Sequence, residues 1–226
     1  MINPLSETND RSLQTEAEEN HLLAQSRNNL YSFLSRIFIE EVSSDFLDQL
    51  SNPEFRDLFE SAGISLSSPE LLEDKAQLLE DLAASYCEMF LLGRIAGLQP
   101  FESAQLEGRL QGDATEAVES FYRQYLMEVE APNRNLPDHL GIEFDFMGQL
   151  AQKEAQCWKQ GDMEGALNAF EGQRHFLKTH LLTWLPRYSK TLERKATHPL
   201  YKGVGTLIYA VLEMEAEVFS LDWKIG

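Results

Sequence analysis

The sequence predicts an all-α fold. Apolar side chains recur at three-, four- and seven-residue spacing along most of the chain, residues that open and close helices punctuate it, and no stretch sustains the alternation of a strand. With 226 residues the chain suits one globular, bundle-like domain with a sizeable core, made of about eight or nine helices.

Residues 1–19 are polar and mostly acidic (Glu7, Asp10, Glu16, Glu18, Glu19), with too few apolar side chains to offset the entropy of ordering them. They are expected to form a flexible acidic tail ahead of an all-helical domain over 20–226. From His21 on, Leu23, Leu30, Leu34, Ile37 and Phe38 fall on one helical stripe. Two short helices are expected next, one carrying Phe46, Leu47 and Leu50 and one carrying Phe55, Leu58 and Phe59, divided by Asn52-Pro53. Ser68-Pro69-Glu70 has the residues of a helix start: a capping hydroxyl, a proline with no amide to leave unpaired, and an acid at the positive helix end. The stripe that follows runs Leu72, Ala76, Leu79, Ala83, Tyr86 and Phe90 and stops near Gly93.

Residues 93–112 hold Gly93, Gly97, Gly108, Gly112 and Pro100 and are expected to be a long irregular connection, a kind of segment that often carries function. Asp113-Ala114-Thr115-Glu116 resembles a capping box before a helix with Val118, Phe121, Tyr122, Tyr125 and Val129 inward. A second connection covers 131–136, and Pro137-Asp138 is expected to begin a helix burying Leu140, Phe144, Met147, Leu150 and Trp158 and ending at Gly161. Met163, Leu167, Phe170, Leu177, Leu181 and Trp184 share the next face, up to a break or kink at Leu185-Pro186. His198-Pro199 opens the last helix, with Leu200, Val204, Leu207, Ile208, Val211, Leu212, Val218 and Phe219 on its apolar side.

The formal net charge is −18, which disfavours nucleic acid and anionic membrane surfaces as partners. The charge is uneven: 66–119 hold eleven acids against Lys75, Arg94 and Arg109, whereas 174–202 hold seven bases against Glu193. Cys87 and Cys157 lie far apart, with no metal-binding or disulfide spacing, which fits a reducing compartment. The start Met1-Ile2-Asn3-Pro4-Leu5 lacks the features of a secretory signal, and the longest stretch free of charge, Gly203 to Leu212, is too short for a membrane span, so a cytoplasmic protein is expected.

An acidic helical protein also invites a di-iron metalloenzyme reading. That site needs repeated Glu-x-x-His, whereas His139 with Glu143 and Glu171 with His175 are four apart, so no metal or other cofactor is expected. Phosphate-loop, nucleophile-elbow and dinucleotide fingerprints are absent. A general protein-interaction scaffold is the remaining alternative.

One stretch is far more specific: Pro137-Asp138-His139-Leu140-Gly141 leading into Glu143-Phe144-Asp145-Phe146-Met147. Together with Pro100-Phe101-Glu102-Ser103 after Tyr86-Cys87-Glu88-Met89-Phe90, the start Leu30-Tyr31-Ser32-Phe33-Leu34, and His180-Leu181-Leu182-Thr183-Trp184-Leu185-Pro186, it resembles the TorD/DmsD family of redox-enzyme maturation proteins over roughly residues 24–220. Phe101 stands where that family usually has tyrosine or tryptophan, and Ala104-Gln105 replaces its Val-Tyr.

The resemblance implies a non-enzymatic cytoplasmic chaperone that binds the twin-arginine signal peptide and the apo form of a molybdopterin-containing oxidoreductase and assists cofactor insertion before export. It implies Asp138, His139, Glu102, Ser103, Phe101 and Tyr31 as signal-peptide-binding residues. The long connections 93–112 and 131–136 could serve as hinges for helix exchange, so both a monomer and a domain-swapped dimer are open. Two guanidinium groups followed by an apolar helix-prone stretch call for carboxylates beside an apolar groove. Glu102 and Asp138 are the expected carboxylates.

Overall fold

The computed structural model of the chain describes residues 4–50, 75–125 and 136–223, with side chains from Thr15 onward. In chain order the helices are α1 (Pro4–Ile39), α2 (Ser44–Leu50), α3 (Lys75–Tyr86), α4 (Glu102–Glu107), α5 (Asp113–Gln124), α6 (Leu140–Gln160), α7 (Met163–Phe176), α8 (Leu182–Lys195) and α9 (Pro199–Val218). A π-helical turn at Cys87–Leu91 extends α3, and another at Leu177–Leu181 joins α7 to α8. No strand occurs among the described residues, where an isolated bridge pairs Phe101 with His139. The all-α expectation holds.

The main packings are α1 on α6, α8 on α9 and α6 on α7. They close around one core whose largest fully buried side chains include Trp184, Tyr31, Tyr188, Tyr201, Phe38 and Phe144. Two glycines set how closely the pairs approach. A Cβ on Gly141 would come 2.5 Å from Ile39 Cγ1 and 3.1 Å from the Ser35 carbonyl of α1. One on Gly205 would lie 2.6 Å from Glu193 N and 2.7 Å from the Ser189 carbonyl of α8.

Several local expectations are corrected. Helix α1 runs from Pro4 to Ile39. Extending an existing helix is far easier than nucleating one, and Glu, Gln, Leu and Ala tolerate it well. Among the described side chains of α1, from Thr15 onward, Ala24 is the first buried one, and Leu23 of the expected stripe is exposed. The connection 93–112 contains α4. The capping box at Asp113 does not form: Gly112 occupies the cap position, and Glu107 from the preceding helix accepts from Ala114 N at 2.9 Å.

Helix α6 begins at Leu140, three residues after Pro137, capped by His139, whose Nδ1 accepts from Gly141 N at 3.2 Å. Pro186 sits inside α8 without breaking it. A proline in a helix interior costs about 3 kcal/mol, whereas each large apolar side chain buried contributes about 1.5–3 kcal/mol, and Trp184, Leu185 and Tyr188 are all buried around it. His198 and Pro199 open α9 as expected, with the His198 ring accepting from Leu200 N. The expected helix around Phe55, the start expected at Ser68-Pro69-Glu70, and most of the connection 131–136 lie outside the described residues; the long helix expected after that start is α3, described from Lys75, which buries Leu78, Leu82 and Tyr86 where Ala76, Leu79, Ala83 and Tyr86 were expected.

Candidate functional site

The Pro100 loop and the turn before α6 are stitched together. Leu140 N donates to the Pro100 carbonyl at 2.8 Å, Glu102 N donates to the Asp138 carbonyl at 3.0 Å, and Ser103 N donates to Asp138 Oδ2 at 2.9 Å. The Phe101 and His139 rings meet edge to face, 4.9 Å between centroids. Tyr122 of α5 holds the turn from the other side through its hydroxyl and the Pro137 carbonyl. Five of the six residues expected to bind a peptide thus converge: Phe101, Glu102, Ser103, Asp138 and His139. Tyr31 lies apart on α1, 1% exposed, donating to Glu215 Oε2 at 3.1 Å.

Convergence comes with burial. Asp138 and Ser103 are fully buried and Glu102 is 3% exposed, its carboxylate accepting from His180 Nδ1 at 3.0 Å. In this arrangement the expected carboxylates face the interior, not a groove. Behind them Glu143 is also buried; burial first, then the neighbouring carboxylates of Glu102 and Asp138, hold its carboxyl well above the usual range and favour its protonated form. Burial likewise pulls the His139 imidazole down to about 4, so it is neutral at neutral pH and its Nδ1 is free to accept the cap bond. The basic run serves this region from α8: Arg187 and Lys195 donate to the Gln105 and Ala96 carbonyls of the loop. Among the described residues no cluster of three or more His, Cys, Asp and Glu has the arrangement of a metal site.

The open concavity lies elsewhere. A groove of about 1080 Å³ runs between α1, α6, α7 and α9, with α2 at one end. Leu23, Leu167, Met214 and Val218 stand exposed along it, and Leu30, Phe33, Phe46, Phe170 and Trp158 complete its apolar lining. Its floor is charged. Arg27 is paired with Glu154 at 2.6 Å, and its guanidinium lies 5.3 Å from the centre of the Phe170 ring. Gln173 also donates to Glu154, at 2.7 Å. Glu215 of α9 lines the groove yet is fully buried; Tyr31 serves one of its oxygens, and Oε1 has no hydrogen-bond partner. Burial, partly offset by Arg27 and the Tyr31 hydroxyl and reinforced by Glu154, raises its carboxyl to about 7.

Reasoning from the sequence missed this floor, though a signal was present. Arg27 stands three residues after Ala24 and four before Tyr31, and Glu215 three after Leu212 and seven after Ile208. Charges placed inside apolar stripes are either paired or functional.

Residues 53–189 match the family described as nitrate reductase delta subunit. The chain belongs to the nitrate reductase delta subunit family. It is also similar, over nearly its whole length, to proteins named chaperone protein TorD. The one from Vibrio parahaemolyticus is 25% identical over 204 residues, covering 85% of this chain and 94% of its own. That from Vibrio cholerae is 26% identical over 209 residues, covering 88% and 94%. That from Aliivibrio salmonicida is 26% identical over 211 residues, covering 87% and 95%. The expected kinship with the TorD/DmsD family therefore holds, and the relatives carry a chaperone's name and not an enzyme's, in keeping with a non-enzymatic chain. In this member of the nitrate reductase delta subunit family, the family match takes in the Pro100 loop, Asp138-His139 and the α6–α7 side of the groove. Tyr31, Arg27 and Glu215 fall outside it.

Proposed function

We propose that this protein is a cytoplasmic maturation chaperone that binds the twin-arginine signal peptide of a molybdopterin-containing oxidoreductase and holds its apo form until the cofactor is inserted. The observation that carries the reading is the likeness to chaperone protein TorD over 85–88% of the chain. Two features support it: among the described residues no helix is long and apolar enough to cross a membrane, and large apolar side chains stand exposed at Leu91, Leu92, Leu106 and Leu110 beside the Pro100 loop.

Because Glu102, Ser103, Asp138 and His139 are buried, their role in this reading is to hold the loop that borders the peptide, with the half-buried Phe101 at its rim; a guanidinium reaches Glu102 or Asp138 only when the loop moves. Tyr31 acts from below, through Glu215. Titration calorimetry with a matched twin-arginine peptide is expected to give a micromolar Kd that weakens at least tenfold when the arginine pair is scrambled. Binding no tighter than millimolar to any cognate peptide overturns the reading, and indifference to scrambling makes the protein a general scaffold. Asp138→Asn, which weakens the bond to Ser103 N, is expected to reduce affinity several-fold in protein shown to be folded. An unchanged Kd removes Asp138 from the site.

A further inference from the structure

We propose that the groove between α1, α6, α7 and α9 takes the apolar helical stretch of that peptide, with one arginine guanidinium on the free oxygen of Glu215. The inference rests on the signal-peptide reading and names where its occupant sits. A helix about 10 Å across that rises 1.5 Å per residue fills roughly 120 Å³ per residue. The groove's 1080 Å³ therefore accommodates about nine residues, between two and three turns. Leu23, Leu167, Met214 and Val218 supply apolar contact from three helices, as an amphipathic or apolar helix requires.

The charge points to a cation. Arg27 is already held by Glu154 and stacked on Phe170, and Arg36 bonds Glu40 and Gln49, so both cations on the groove have acidic or amide partners. Glu16 and Glu215 are acidic groups in excess there. Glu215 is fully buried with Oε1 unpartnered, and folding has already stripped its carboxylate of water. Glu215 is as buried as Asp138, so a guanidinium whose apolar stem lies along the leucines places a donor at that oxygen only when the side chains over it move aside.

The test is anisotropy with a labelled twin-arginine peptide, read on wild type, Leu167→Glu, Met214→Glu and Glu215→Gln. The first two positions are exposed, so charge there leaves the fold intact; melting curves check this. Either groove variant is expected to weaken binding at least tenfold. Glu215→Gln is expected to weaken the arginine peptide at least fivefold, while leaving a peptide with both arginines replaced by glutamine within twofold. If wild type binds and all three variants bind within twofold of it, the groove proposal is overturned and the signal-peptide reading stands. If wild type binds no twin-arginine peptide, that reading falls. The groove is then read with an amphipathic helical peptide bearing one arginine: binding lost in Leu167→Glu supports the groove, and no binding overturns it.

Discussion

Two buried titratable groups act on stability in opposite directions. Glu215 is raised from 4.5 to about 7, so between those values the folded chain keeps a proton that the unfolded chain has released, and stability falls as pH rises. His139 is lowered from 6.5 to about 4, so between those values the unfolded chain takes up a proton that the folded one refuses, and stability falls as pH drops. Each shift is worth about 3 kcal/mol at most, and the two windows nearly coincide. Wild type therefore hides both slopes. Glu215→Gln is expected to melt progressively higher than wild type as pH rises from 5 to 7, with the advantage levelling above 7. His139→Asn keeps a capping side chain without a titrating ring and is expected to gain on wild type as pH falls from 6.5 to 4. Melting temperatures across pH 4–8 check both; parallel curves for variant and wild type sink the assignment.

At the scale of helices, close approach decides. The carbonyl of Ser189 and the amide of Glu193 leave no room for a methyl on Gly205, and backbone atoms cannot swing aside as a flexible side chain would. Gly205→Ala is expected to destabilise by about 1–3 kcal/mol despite its better helix propensity, measured by urea unfolding. A gain in stability would mean that α8 and α9 slide freely. The sequence foretold where most helices lie because their stripes are long and periodic, as in Leu200, Val204, Leu207 and Val211. Their starts were less legible. Glu107 reaches Ala114 across a turn, and His139 bonds two residues ahead of itself; both are short-range contacts that spacing alone cannot distinguish from Asp113 or Asp138 doing the same work. Pro186 misled for the opposite reason, since its local penalty is outweighed by burial contributed from distant parts of the chain.

Over the whole molecule, the charge of −18 resolves into separate uses. Carboxylates converge inside at Glu102, Asp138 and Glu143, the basic run ties the loop carbonyls, and a second acidic floor underlies an open apolar groove. The motif legible in the sequence marked the first of these; the groove is assembled from helices remote in sequence, so no local pattern announced it. The acidic start of α1 connects the two scales. Glu16 lines the groove, and further on His21 Nδ1 meets the Ala155 carbonyl and Ala24 is buried. Removal of residues 1–19 is therefore expected to leave one cooperative melting transition close to the wild-type temperature. The same deletion takes Glu16 from the groove, and an exposed carboxylate attracts a cationic peptide only weakly and across a Debye length of about 10 Å at 0.1 M salt. Peptide affinity is expected to drop about threefold in dilute buffer, with the difference from wild type vanishing near 0.5 M salt, where that length falls to about 4 Å. A non-cooperative melt would instead make residues 1–19 part of the folded body, and a salt-independent loss of affinity would mean that this stretch grips the peptide by apolar contact.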